Sequence, residues 1–580
     1  MGAIAGCVGR PSDGVVAAML DAVPHRGDAV SIVSSGDATF GLRTTRRGDE
    51  EPAVFTTPLG ALIGCVGAPV PAGPHPAVEL AGRLEREEWD GLDGRFVFVR
   101  WDPEARNLTA YRDAFGMRSL YWTQHDGAFW FASELKQLLV IPGLTRAIDP
   151  VAIHKYLTFS FVPGEATPLA GVRRLLPGHI LTWHADDGHR VGVHQRPWFR
   201  LEENLTPIEQ AAAAARTGAL CRDAVAKRLE PPGNAGLYLS GGIDSSAVGA
   251  WLRDLGAAPT ALTLDFGTAS VEREEAAEVA AHLGLKLEVV PADPTAIMDQ
   301  FDALIRGLDM PFGDAVTGPQ WLLGKAARSL GLDVVWNGEG GDQLFGGWTS
   351  KPMVAAAVYG GLGTDEDDSP EARYLRSYHR FYGLESELYT PALEASVTPG
   401  LRRSILRRFL GDDTRAQAFL NRVRLTDLSL KGLHNILPRA ERIAAAHGLD
   451  VRMPFFDRAL AEWSFTLPTA LKLHGACEKY VLKLALQKSL PEGIVWRRKF
   501  GMSVPITDWV LGPMRPLVEE LLSDQSVRSR GLLQPAFVAA LRSGKDVASE
   551  TRRRRLGERL WALVMLEGWC RRFIDGRSAA

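Results

Sequence analysis

Residues 235–337 alternate short apolar runs with amphipathic ones, and that alternation restricts the fold more than any other feature of the chain. "AGLYLS" gives way to "SSAVGAWLRDLG", "TALTLDF" to "EREEAAEVAAHLG", "KLEVVP" to "PTAIMDQFDALIRGL", and "WLLGKAARSLG" to "LDVVWNG". The apolar runs are too short for helices and read as buried strands, and the segments between them read as helices. Repetition of this kind predicts a parallel sheet with helices on both faces. In such sheets a ligand sits at the carboxyl ends of the strands.

The flanking regions have different textures. Residues 1 to about 200 read as short strands between Gly, Pro and Asp turns, as in "GRFVFVRWDPEARNLTAYRD", and suggest a β-rich layer. At "TPIEQAAAAARTGALCRDAVAKRLE" the pattern turns helical, with Thr206 as the expected cap, so the boundary is set between 1–205 and 206–580. Residues 348–431 are less regular. The acidic stretch "GTDEDDSPEAR" reads as a surface loop, and the segments around Tyr374, Tyr378 and Phe381 as helices lining or covering the cleft.

Composition excludes several classes of function. The chain has 580 residues, 46% of them hydrophobic, enough for more than one core. Its 66 basic and 69 acidic residues leave a formal charge of −3, which gives no electrostatic case for nucleic acid. The run Arg552 to Arg555 reads as a solvated helix face. Cys7, Cys65, Cys221, Cys477 and Cys570 form no metal spacing, and their odd number argues against a disulfide framework, so a reducing cytoplasm is expected. No stretch has the length of apolar sequence a membrane helix needs, and none is expected to cross or bind a membrane.

Two Gly-rich motifs fall at strand ends. In "LYLSGGIDSS" a strand runs into Ser240, Gly241, Gly242, Asp244 and Ser245 before a helix begins. Glycines let backbone approach a phosphate, the helix start supplies N–H donors, and hydroxyls add more. Asp244 supplies a carboxylate of the kind magnesium needs when it bridges phosphates. In "NGEGGDQLFGG" Glu339 and Asp342 stand three apart on a turn and can face the same cleft. Carboxylates from two strands suit a magnesium–pyrophosphate clamp.

With these motifs the chain resembles the asparagine synthetase family. "SGGIDS" looks like the pyrophosphate loop of the ATP-pyrophosphatases, and "GEGGDQLFGG" is similar to the family's second nucleotide motif. "AERIAAAHGLDVRMPFFD" and "EKYVLKLALQKSLPEGIVWRRKFGMSVPITDW" resemble the segments that follow. In the first half "HRGD", "LDGRFVFVRWD", "YRDAFGMRSLYW", "FASELKQLL" and "YLTFSFVPGEATPLAGVRRLLPGH" match as well. The resemblance implies an α/β protein: an N-terminal Ntn-hydrolase-like sandwich related to glutamine amidotransferases, then a doubly wound ATP-pyrophosphatase domain. It implies ATP over Leu239, Ser240, Gly241, Gly242, Asp244, Ser245, Leu264 and Gly338, with Mg²⁺ on Asp244 and Asp342. It further implies that Lys499, in "RRKFG", lies near the adenylate oxygens and that Glu339 orients or deprotonates an incoming amine.

The chain departs from the family pattern at its start. Members that draw ammonia from glutamine begin Met-Cys-Gly and carry an "NGEIYN"-like loop, whereas this sequence begins Met-Gly-Ala and has "LGALIGCVGAP" in the equivalent stretch. Gly2 has no side chain to attack with, and His25 to Asp28 would keep the "HRGD" signature without a nucleophile to serve. The resemblance then leaves open lasso peptide cyclases, β-lactam synthetases and ligases that use ammonia or a small amine. The whole "GEGGD" motif and the length of the chain favour macrolactam formation on a leader-trimmed precursor peptide, with a leader-binding protein and a protease as expected partners. A catalytically silent scaffold is disfavoured by the intact nucleotide motifs. His447, Glu441 and Asp450 stand as candidates for a further base and equally as structural residues.

Overall fold

The computed structural model describes residues 2–10, 12–45, 54–70, 76–185, 192–229, 233–267, 272–347, 353–354, 369–398, 400–411, 415–497, 502–545 and 550–578. The first half is built on two six-stranded antiparallel sheets. One has the order Arg173–Arg174, Tyr121–His125, Ala128–Ala132, Gly2–Val8, Ala38–Thr44, Ala29–Ser35. The other runs His194–Pro197, His179–His184, Asn107–Arg112, Asp93–Asp102, Leu62–Val70, Val54–Thr56.

Strand periodicity explains the layering. In "DGRFVFVRWD" the residues Val97, Val99 and Trp101 enter the core between the sheets with Ile4, Phe40 and Leu181, while Phe96 and Phe98 face the opposite way onto Leu80 and Leu84 of helix Pro76–Glu85. Helix Asp13–Asp21 covers the first sheet with Val16, Met19 and Leu20. The result is a helix–sheet–sheet–helix sandwich, the Ntn-type arrangement that the resemblance implies.

The second half contains the expected parallel sheet. Strands β1 (Ala235–Tyr238), β2 (Thr260–Asp265), β3 (Leu287–Pro291), β4 (Val334–Asn337) and β5 (Asp450–Arg452) lie in the order β3-β2-β1-β4-β5, all parallel. The chain winds outward from β1 to β3 and then returns to β4 on the other side of β1. The crevice between the carboxyl ends of β1 and β4 is therefore the switch point at which a doubly wound sheet binds ligands. The short helices α1 (Ile243–Asp254) and α3 (Gly341–Phe345) start there, and α2 (Thr317–Ser329) precedes β4. Strand β5 was not among the expected elements.

Two local readings change. The Ala-rich helix spans Gln210–Ala226, and Thr206 is not its cap. The Thr206 N–H bonds to the carbonyl of Thr466, and those of Glu203 and Asn204 to Arg415 and Phe465, so the segment runs extended along the second half. Pro207 also disfavours helical backbone at Thr206. Tyr374 and Phe381 are buried in the core, so their side chains do not form an exposed lining. Residues 363–368 of the acidic stretch lie outside the described residues. The Arg run lies at the start of helix Glu550–Phe573, where Arg553 and Arg554 are exposed and pair with Asp508 and Glu558.

The halves are joined by buried ion pairs. Arg26 of "HRGD" donates to Glu134 at 2.5 Å and to both carboxylate oxygens of Glu441, one at 3.1 Å. Arg118 reaches Glu441 at 2.9 Å and Asp450 at 3.3 Å, Arg95 reaches Asp450 at 2.7 Å, and Arg442 reaches Glu134 at 3.1 Å. Burial pushes the Glu134 and Glu441 carboxyls up, but the surrounding guanidiniums outweigh it and hold both well below the usual carboxylate range. Glu441 and Asp450, offered as candidate bases, are thus committed to the interdomain contact. His447 packs on the Trp321 ring at 4.3 Å.

A second carboxylate pair spans the halves. Asp93 and Asp457 share Arg228, which donates to them at 3.4 and 2.9 Å. Burial, reinforced by Asp457 and opposed by Arg228, pushes the Asp93 carboxyl up to about 7. The folded chain then keeps a proton on Asp93 that the unfolded chain has already released. Stability from this proton is full below the unfolded carboxylate pKa of about 4 and is lost as pH rises toward 7. Melting temperatures measured from pH 5 to 8 should fall in the native chain and fall less in Asp93→Asn; parallel curves would refute the assignment.

Candidate active site

The first motif leaves β1 and turns sharply into α1. Gly241 has φ +74° and lies so close to helix Glu272–Leu283 that a Cβ would come within 2.4 Å of Glu275 Cβ, so only glycine fits. The hydroxyls face one another: Ser240 Oγ is 3.2 Å from Ser245 Oγ, which in turn donates to the Gly242 carbonyl at 3.1 Å. Leu239 and Leu264 are buried, and the Leu239 N–H bonds to Leu262 across β1 and β2.

The second motif lies against the first. A Cβ on Gly338 would meet Ser245 N at 2.6 Å, and one on Gly341 would meet Asp244 Oδ1 at 2.2 Å. The glycines are thus required for the two loops to touch, and that contact brings Asp244 and Asp342 to one point. Between them lies Lys479. Its Nζ is 2.6 Å from Asp342 Oδ1 and bonds to Asp244 Oδ2. The lysine is fully buried and has φ +55° just before helix α5 (Tyr480–Leu486), a left-handed conformation that a non-glycine residue rarely adopts and that clusters at functional sites.

Sequence reasoning missed Lys479. It lies in "EKYVLKLALQ", the same matched segment that holds Lys499, and no spacing distinguishes the two. Lys499 lies outside the described residues. The discriminating signal is three-dimensional: one ammonium shared by carboxylates from both nucleotide motifs.

Glu339 lies beside this centre, three-quarters buried. Its Oε1 accepts from Gln320 Nε2 at 3.0 Å and lies 3.7 Å from Arg439 Nη2, while its own N–H donates to Asn337 Oδ1 at 3.0 Å. Arg439 belongs to helix α4 (Leu437–Ala446), which continues from helix Phe419–Asp427 through a π-helical stretch, Leu428–Ile436. π-Helical insertions are rare and are frequently found at functional sites. This one lies along the wall of the crevice, where Asp427 accepts from Gln343 of α3 at 2.6 Å.

The donor set fits a nucleotide: serine hydroxyls, a helix start, two carboxylates and a buried ammonium at a switch point. Among the described residues no group of three or more His, Cys, Asp or Glu side chains is placed to hold a metal ion. A divalent cation here would rest on the two aspartates and on phosphate oxygens, as magnesium commonly does.

Comparison with known proteins agrees with this geometry. The family model described as asparagine synthase matches residues 217–571, well over half of the chain and all of the switch-point crevice. The chain belongs to the asparagine synthase family. Members of that family are ATP-dependent carbon–nitrogen ligases that release AMP and pyrophosphate, and this chain is an enzyme of that kind. A second model, the glutamine amidotransferase domain, matches residues 78–197. Asparagine synthetase [glutamine-hydrolyzing] 1 of Bacillus subtilis (strain 168) is 25% identical over 473 residues, covering 76% of this chain and 73% of the relative. Amidase chyE of Penicillium rubens is 26% identical over 515 residues, covering 76% and 74%.

In this chain a side chain at residue 2 would have to displace its neighbours. Gly2 pairs with Thr44 in the middle of the first sheet, and a Cβ there would lie 2.8 Å from Val66 Cγ2 and 3.2 Å from the Arg43 carbonyl. His25 Nε2 is bonded to Glu134 Oε1 at 2.8 Å, within the interdomain network.

Proposed function

We propose that this enzyme activates a peptide carboxylate as an acyl-adenylate and joins it to the same peptide's α-amine, closing a macrolactam without drawing ammonia from glutamine. The observation that carries this reading is the tightly filled space around residue 2 in a chain whose ligase centre is assembled. A Cβ at residue 2 would lie 2.8 Å from Val66 Cγ2, whereas Asp244, Asp342 and Lys479 converge and Glu339 stands on the same turn as Asp342.

In the first step a substrate carboxylate oxygen attacks the α-phosphorus of ATP, and the bond to pyrophosphate breaks. Leu239, Ser240, Gly241, Gly242, Ser245, Leu264 and Gly338 form the nucleotide bed. Asp244 and Asp342, which share the Lys479 ammonium here, are the carboxylates that would hold Mg²⁺, and the ion would supply charge neutralisation for the leaving pyrophosphate. In the second step the amine attacks the acyl carbon, AMP leaves with the carbon–oxygen electron pair, and Glu339 takes a proton from the amine. Lys479 takes the electrostatic part that the family resemblance gave to Lys499, stabilising negative charge on the reacting oxygens. The substrate reaches the enzyme as a leader-trimmed precursor in the cytoplasm, beside a leader-binding protein and a protease.

A synthetic linear peptide with a free α-amine and one internal Asp or Glu, incubated with ATP and Mg²⁺, should lose one water and yield AMP and pyrophosphate. Formation of ADP and phosphate would sink the reading. Glutamine should be neither needed nor hydrolysed, and Gly2→Cys alone should not produce glutamate from glutamine, because a Cβ there must displace the Val66 methyl and the glutamine loop is missing. Glutamate release above background by either protein would overturn the amine source assigned here.

A further inference from the structure

The hydrogen-bond chain behind Glu339 has a direction. Arg439 is almost fully buried, and its guanidinium carries only donors. Its Nη1 donates to Asp314 Oδ2 at 2.8 Å and to Asn435 Oδ1 at 2.9 Å, and its Nε donates to Gln320 Oε1 at 2.9 Å. Asn435 closes the triangle by donating its Nδ2 to Asp314. Burial pushes the Asp314 carboxyl up, but Arg439, Arg380 and Lys431 outweigh it and hold it below its ordinary value, so the anchor of Arg439 is an anion.

Because Arg439 can only donate, the Gln320 amide must turn its oxygen toward Arg439 and its nitrogen toward Glu339. That nitrogen can only donate, so Glu339 Oε1 is an acceptor. Among the described residues Oε2 has no hydrogen-bond partner. We propose that Gln320 and Arg439 form a positioning relay that makes Oε2 of Glu339 the atom receiving the proton of the attacking amine.

The proposal rests on the reading of Glu339 as the base in amide formation. The relay acts through Glu339, so it governs attack by an amine that must lose a proton and not the preceding adenylation. The π-helical stretch has a part in this arrangement: Asn435 lies near its end, one turn before Arg439, so the two side chains meet Asp314 together.

Hydroxylamine separates the steps, because it is largely uncharged at neutral pH and traps an acyl-adenylate as a hydroxamate without help from a strong base. Native enzyme, Gln320→Leu and Glu339→Gln are each given the same synthetic linear peptide and ATP. Ring closure and, with hydroxylamine added, hydroxamate formation are followed by mass. Gln320→Leu should slow closure about 10–100-fold, the worth of one hydrogen bond to a charged group, and leave hydroxamate formation within about twofold of native. Arg439→Lys, which keeps the charge and loses the fork, should fall between native and Gln320→Leu in closure. Equal loss of both products, or unchanged closure, overturns the relay. If Glu339→Gln closes rings at the native rate, the base assignment fails instead. Absence of hydroxamate from every peptide offered defeats the reading and the relay together.

Discussion

Lys479→Met is expected to lower amide formation by at least about 10²–10³-fold, the usual loss when one preorganised donor to a developing anion is removed. The loss should be near the upper end, because the ammonium is fully buried and its removal leaves Asp244 and Asp342 facing each other as like charges. Lys479→Arg should not restore activity, since a guanidinium is larger and flatter than the slot the loops leave for an ammonium. Thermal unfolding of both variants, run beside the assay, shows whether the fold survives. Near-native turnover by a folded Lys479→Met would remove this lysine from the mechanism. The same assay on Lys499→Met shows which of the two lysines carries the charge-stabilising role.

Asp342→Ala should abolish ATP-dependent pyrophosphate release. The substitution removes one of the two carboxylates proposed to hold magnesium against a triphosphate, and it frees Lys479 to pair with Asp244 alone. Asp342→Asn should retain a trace of activity that rises with added Mg²⁺, because the amide oxygen still offers a neutral ligand. Activity in Asp342→Ala that is saturated by the same Mg²⁺ concentration as native enzyme would place the metal elsewhere.

The sequence made the crevice legible and left its centre obscure, for physical reasons. β1, β2 and β4 are announced by apolar runs that are largely buried, β3 by an apolar run at the sheet edge, and the glycines after β1 and β4 mark where backbone comes close to backbone. β5 has three residues, two of them charged, and no periodicity can mark a strand that short. Asp450 and Glu441 carry no sign in the sequence of being structural, because their partners Arg95, Arg118 and Arg26 lie hundreds of positions away. Lys479 was hidden in the same way. For the segments around Tyr374 and Phe381 the sequence left lining and covering the cleft equally open, because aromatic residues suit both walls and cores, and packing puts these two side chains in the core.

The helix that carries Arg439 toward the crevice presents Glu441 and Arg442 to the first half within the next turn. This limits how freely the two halves can be exchanged. A hybrid that combined residues 206–580 with the first half of a different family member would place Glu441, Arg442 and Asp450 against an unmatched surface. Each buried charge left without its partner would cost about 3–5 kcal/mol. Interchangeable halves would therefore need to travel with Arg26, Arg95, Arg118 and Glu134, a four-residue key cut to fit one lock, and evolution by domain shuffling is restricted to partners that already possess it.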